Sequence, residues 1–202
     1  MFVQVIQGRT SDPEAMRAQY ERWGRELGPG ADGWLGSTAG VTDDGRTVAV
    51  VRFESEEAAE RNSSRPEQGA WWEQMAATFD GEPTFHNHTL VDVDTYGDPD
   101  QAGFVQVMHG NLGDVHRGLE LMRSDTTDWA SFRPDILATS WSGSEDGSWT
   151  MAIYFTSEAA AREGEQKEEP PETKALMDEL NALAVRETTF LDLREPWLMS
   201  AG

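Results

Sequence analysis

The chain opens on a short run rich in β-branched and aromatic residues, Phe2–Gln7, and then changes period. From Asp12 onward, Met16, Tyr20, Trp23 and Leu27 recur at helical spacing and lay one apolar stripe along a helix. Asp12-Pro13-Glu14 supplies a cap, a proline at the first helical position and an acidic first turn, and Gly28-Pro29-Gly30 ends the helix. Trp34–Val41 and Thr47–Glu54 read as strands around Asp44-Gly45, a pair suited to the positive φ of a hairpin turn. Ser55, followed by Glu56 and Glu57, caps a second helical region. Pro66 interrupts that region, and Trp72, Met75 and Phe79 resume an apolar face. A last strand is expected over Thr84–Val93. The order β-α-β-β-α-β is that of the ferredoxin-like split βαβ unit.

The pattern then repeats. FVQVIQG at Phe2–Gly8 returns as FVQVMHG at Phe104–Gly110, an offset of 102 residues. The offset carries Asp44-Gly45 onto Asp146-Gly147, Phe53 onto Phe155, Ser55-Glu56 onto Ser157-Glu158 and Ala58-Ala59 onto Ala160-Ala161. Thr84-Phe85 returns as Thr189-Phe190 after a three-residue slip. Gly97–Ala102 is polar and turn-rich. The expected organisation is therefore one repeat over 1–97, a linker over 98–102 and a second repeat over 103–202. In the third strand, Ala49, Val51 and Phe53 match Met151, Ile153 and Phe155, and this apolar face is expected to carry the helices. Val3, Val5, Val105 and Val107 are expected on the same side. Gln4 and Gln106 would then face away from the helices, as a pseudo-symmetric hydrogen-bonded pair.

Composition narrows the partners more than it names one. Sixteen Lys and Arg against 37 Asp and Glu give a net charge of −21, which disfavours nucleic-acid phosphates and anionic membrane surfaces. With no cysteine, thiol chemistry and disulfides are ruled out. The N-terminal segment lacks a positive n-region and no run is apolar enough to span a membrane, so a cytoplasmic protein is expected. No Walker loop, Rossmann glycine pattern, G-x-S-x-G or H-E-x-x-H occurs.

The FVQV strand, the Asp-Asp-Gly hairpin, the VRFESEEAA strand-to-helix junction and the Trp-rich second helix together resemble the dimeric α/β barrel superfamily. They are most similar to its antibiotic-biosynthesis-monooxygenase-like domains, and the resemblance covers both halves. It implies an α+β fold in which two ferredoxin-like repeats pack sheet to sheet as an intrachain dimeric α/β barrel. The chain would then be a monomer containing a pseudo-dimer, with further homodimerisation left open. The superfamily's haem-degrading branch has an Asn on the first strand, and a Trp and then a His on the second helix. Here those places hold Gln4 or Gln7, Asn62 and Trp72 in the first repeat, and Gly164 and Lys174 at the two helix places in the second, so haem degradation is not expected.

Eight residues carry the candidate chemistry. Gln7 and His109 end the first strand of each repeat and are expected on the helix side, where His109 would serve as a base. Trp71 and Trp72 point about 100° apart on a helix, one to the core and one to the wall of an aromatic-ligand pocket. His86 and His88 share a face of the last strand, and His86 is the other candidate base. Two imidazoles fall short of the four ligands of tetrahedral zinc, and no metal is expected. Arg52 and Tyr154 occupy one equivalent position, where Arg52 would bind a carboxylate or enolate or pair with a neighbouring Glu. The resemblance implies a small-molecule enzyme, a cofactor-independent monooxygenase acting on an aromatic or phenolic substrate. The alternative is a non-catalytic ligand-binding or stress-response protein of the same fold.

Overall fold

A computed structural model describes residues 1–201. The first repeat contributes β1 (Phe2–Arg9), α1 (Pro13–Glu26), β2 (Trp34–Val41), β3 (Arg46–Phe53), α2 (Glu56–Ser63), α3 (Pro66–Ala76), β4 (Thr84–His88) and β5 (Leu90–Thr95). The second contributes β6 (Phe104–Asn111), α4 (Val115–Ser124), α5 (Trp129–Phe132), β7 (Ile136–Gly143), β8 (Ser148–Phe155), α6 (Glu158–Gly164), α7 (Pro171–Leu183), β9 (Thr189–Leu193) and β10 (Trp197–Ser200). The local signals act as read. The Asp12 carboxylate accepts from the Ala15 N–H at 3.0 Å, and Ser55 and Ser157 cap α2 and α6 in the same way at 3.2 and 3.1 Å. Gly45 and Gly147 turn the two hairpins at φ +78° and +85°. In the first turn, Thr42 and Arg46 hold the Asp44 carboxyl down at a pKa of about 2.

The strands form two separate antiparallel sheets, ordered β10-β2-β3-β1-β4 and β5-β7-β8-β6-β9, and not a closed barrel. The compact units follow the sheets: one is Met1–Thr89 with the segment from Glu195, the other Leu90–Arg194. The stretch expected as one strand, Thr84–Val93, is therefore two. Its first half pairs with β1 and its second half with β7. Periodicity could not show this, because an extended chain keeps its two-residue alternation while it changes ladder. β10, at the far end of the sequence, pairs with β2 from Trp197↔Ala39 to Ser200↔Gly36.

Cross-strand register corrects the expected faces of β1. Val3 lies opposite Arg52 and Val5 opposite Val50, whereas Gln4 lies opposite Val51 and Ile6 opposite Ala49. The helix-bearing face is thus Phe2, Gln4, Ile6, Ala49, Val51 and Phe53, packed with Met16, Tyr20, Trp23, Trp71 and Met75. Val3 and Val5 belong to the other face, which is also buried. A one-residue error of parity exchanges every side chain of a strand between faces, and runs such as FVQVI are apolar on both. Gln4 and Gln106 consequently do not pair with each other. Each bonds along its own sheet, Gln4 Nε2 to Asn87 Oδ1 at 3.1 Å and Gln106 Nε2 to Asp192 Oδ1 at 2.9 Å.

Candidate functional site

In the first unit, the helix-bearing face of the sheet and helices α1, α2 and α3 enclose a cavity of about 300 Å³. Its aromatic wall follows from sequence periodicity. Tyr20 and Trp23 come from the α1 stripe, Trp71 and Trp72 from α3, and Phe79 and Phe85 from the return to β4. The rings form a continuous chain, with centroids 6.4 Å apart for Trp23–Trp71, 6.0 Å for Trp71–Trp72 and 5.3 Å for Trp72–Phe85. Phe85 is 48% exposed and stands at the open side. Both tryptophans of the adjacent pair line the cavity. Trp71 is anchored by its indole N–H on the Gln19 carbonyl at 2.9 Å.

Every lining side chain is uncharged at neutral pH, so the cavity favours ligands without formal charge. Its polar groups are hydroxyls and amides. Tyr20 Oη donates to the Ser37 carbonyl at 2.9 Å and reaches the Trp197 carbonyl at 3.1 Å. Trp23 donates its indole N–H to Gln68 Oε1 at 2.7 Å. Arg65 donates from Nη1 to Asn62 Oδ1 at 2.9 Å and to the Leu27 carbonyl at 3.2 Å. Asn62 is only 6% exposed. The sequence signalled the aromatic stripes but not the amides, which look like ordinary polar helix positions. Trp197 was missed because β10 joins this sheet from the opposite end of the chain.

The remaining predicted residues stand elsewhere. Register places Gln7, Arg52, His86 and His88 on the Val3–Val5 face, away from the cavity, with Arg52 and His88 flanking Val3 on the two neighbouring strands. His88 is fully buried. His109 and Tyr154 lie on the corresponding face of the second sheet, where His109 Nδ1 meets Thr150 Oγ1 at 3.1 Å. The expectation that Gln7 and His109 face the helices shares the parity error of β1. Among the described residues, no group of three or more His, Asp or Glu side chains is placed to hold a metal ion. No helix among them is long and apolar enough to cross a membrane.

The second unit fills the corresponding space differently. The counterpart of Asn62 is Gly164, and a Cβ there would collide with the Arg133 guanidinium. That guanidinium lies 5.6 Å from the Phe155 ring centroid and pairs with Asp135 at 2.7 Å, both side chains only 10% exposed. Arg162 covers the Phe104 ring at 5.2 Å. Where the first unit lines its cavity with uncharged side chains, the second lays guanidinium groups over the rings of Phe104 and Phe155.

No protein-family model matches the sequence, and no curated protein matches it. Solved structures match over its whole length. A candidate monooxygenase from Fusobacterium nucleatum superposes with a TM-score of 0.77 at 9% identity, covering 100% of this chain and 94% of that one. A candidate monooxygenase from Lactobacillus acidophilus gives 0.74 at 12% identity, with 100% and 96% covered. An anthrone oxidase-like protein gives 0.70 at 14%, with 100% and 93% covered. At such identities the likeness is one of fold. At that level the chain is an α+β protein of two ferredoxin-like units in tandem, a fold it shares over its whole length with these three structures.

Proposed function

We propose that the cavity of the first unit binds a flat, uncharged aromatic molecule, and that the protein is a cofactor-independent monooxygenase of phenolic or anthrone-like substrates. The observation that carries this reading is the 300 Å³ cavity itself, walled by aromatic rings and lined only by uncharged side chains. Its size falls at the lower end of small-molecule sites, roughly 300–1,000 Å³. The names of the neighbouring structures, two monooxygenase candidates and an anthrone oxidase-like protein, agree with it.

In this reading the substrate loses a proton and its carbanion combines with dioxygen to a peroxide anion. That anion then expels hydroxide to leave a new carbonyl. The same carbon gives up its second hydrogen as a proton when the O–O bond breaks, so the four electrons that reduce dioxygen to the carbonyl oxygen and water come from two substrate bonds to hydrogen. Tyr20 is the one side chain of the lining with an acidic proton. Hydrogen bonds to a developing oxyanion favour the ionised substrate, and amide donors can supply them. The absence of a histidine or carboxylate from the lining favours a second reading, a binding protein that uses the same cavity without chemistry.

Oxygen uptake with a panel of anthrones and dihydroxyaromatics separates the readings. Uptake that Trp72→Ala abolishes locates the reaction in the cavity. Uptake abolished by His86→Ala instead would locate it on the opposite face of the sheet, with the imidazole as base. Binding without uptake on any member leaves the binding protein.

A further inference from the structure

Three amides line the cavity. Gln4 spends its Nε2 on Asn87. The other two are held in one orientation each, and the geometry points to Asn62 and Gln68 as paired hydrogen-bond donors that select ligands bearing an acceptor oxygen, a ring carbonyl or phenolate. The inference rests on the reading of the cavity as an aromatic-ligand site. An amide can present either its oxygen or its NH2 group, and its neighbours decide which. Here the neighbours leave no choice. An indole N–H and a guanidinium can only donate. Trp23 Nε1 therefore fixes Gln68 with its oxygen toward α1, at 2.7 Å. Arg65 Nη1 fixes Asn62 with its oxygen toward Arg65, at 2.9 Å. In both residues the planar amide then turns Nε2 or Nδ2 the other way, and both residues line the cavity. Arg65 is itself anchored, by the Leu27 carbonyl at 3.2 Å and by Glu67 at 2.9 Å. It acts as a positioning residue, because it fixes Asn62 without lining the cavity. Donors that cannot flip reject a ligand that offers only hydrogen-bond donors and gain nothing from a plain hydrocarbon.

The test compares 1,4-naphthoquinone with naphthalene, two bicyclic ligands of similar outline that differ in their acceptor oxygens. The chain has no cysteine for the quinone to alkylate. Dissociation constants for both are measured on the full chain, wild type and variants. The wild type should prefer the quinone by roughly fivefold or more, the worth of one net hydrogen bond. Asn62→Leu and Gln68→Leu should each reduce that preference, chiefly by weakening the quinone, with naphthalene changed less than about twofold. Arg65→Met should do the same, whereas damage to packing alone would weaken both ligands together. Should Asn62→Leu fail to fold, Gln68→Leu, at a partly exposed position, still decides the question. Equal affinity of the wild type for the two ligands, or a preference retained in the leucine variants, would overturn the inference while leaving an aromatic-ligand cavity. Failure of both ligands to bind the wild type would overturn the cavity reading itself.

Discussion

Replacing Gly164 by alanine sets two effects of opposite sign against each other. Gly164 is the last residue of α6 and its backbone is not left-handed, so helix propensity alone would favour alanine by up to about 1 kcal/mol. The added Cβ, however, falls on the Arg133 guanidinium. That group is not a free chain end. It holds Asp135 at 2.7 Å, donates to the Ala161 carbonyl at 3.2 Å and lies over Phe155. Forcing a methyl group into a packed site costs about 1–3 kcal/mol, and separating a buried ion pair about 3–5 kcal/mol. Because Arg133 is held at three points, the cost lies in the upper part of the overpacking range, and less the propensity gain the net expectation is a destabilisation of about 1–2 kcal/mol if Arg133 shifts and stays paired. For a chain of this size that lowers Tm by roughly 2–4 °C per kcal/mol. Thermal unfolding followed by circular dichroism measures it. In an Arg133→Met, Asp135→Asn background the same alanine should be neutral or stabilising, because a flexible thioether can give way. A Gly164→Ala protein as stable as wild type, or more so, would refute the argument that Arg133 fills this space.

Removing the Ser55 or the Ser157 cap by substitution with alanine should cost about 0.5–2 kcal/mol each, read as a fall in Tm, and the two losses should be similar because the caps are equivalent. Burial and the neighbouring Asp94 push the Tyr96 phenol up to about 12. The unfolded chain ionises near 10 and the folded one does not, so stability is whole below pH 10 and falls between pH 10 and 12. Tyr96→Phe should flatten that part of the Tm–pH curve. Trp72→Ala should enlarge the cavity and weaken naphthoquinone at least several-fold in a binding titration, since Trp72 links Trp71 to Phe79 and Phe85 and a buried aromatic contact carries about 0.5–1.5 kcal/mol beyond its area.

Much of the local structure was legible because each signal is chemical and short-range. Asp12-Pro13, Ser55, Ser157, Asp44-Gly45 and Asp146-Gly147 cap helices and turn hairpins where their side chains and φ preferences require. The repeat gave the fold, since a unit with helices on one face and its copy at an offset of 102 residues define the two sheets. Two things were not legible. The first is which ladder a strand joins, since Thr89 passes between β4 and β5 with no glycine or proline to mark it. The second is the parity of β1, where Phe2, Val3, Val5 and Ile6 are apolar on both sides and only pairing with β3 and β4 fixes the face. That parity decides the candidate site. It brings Gln4 and Ile6 to the cavity and takes Gln7 away from it, and His86 and His88 share the face of Gln7 through the same register. The amides of Asn62 and Gln68 became significant only through Arg65 and Trp23, contacts that no spacing along the chain encodes.

The eight tryptophans of the chain report on the proposed site directly, because their indole N–H resonances are resolved from the backbone and are shared between the two units. Titration of the labelled protein with 1,4-naphthoquinone, followed by these resonances, should shift Trp23, Trp71 and Trp72 saturably and leave Trp141 and Trp149 of the second unit in place. No saturable shift at the three cavity tryptophans, or shifts confined to the second unit, would contradict an aromatic-ligand site in the first.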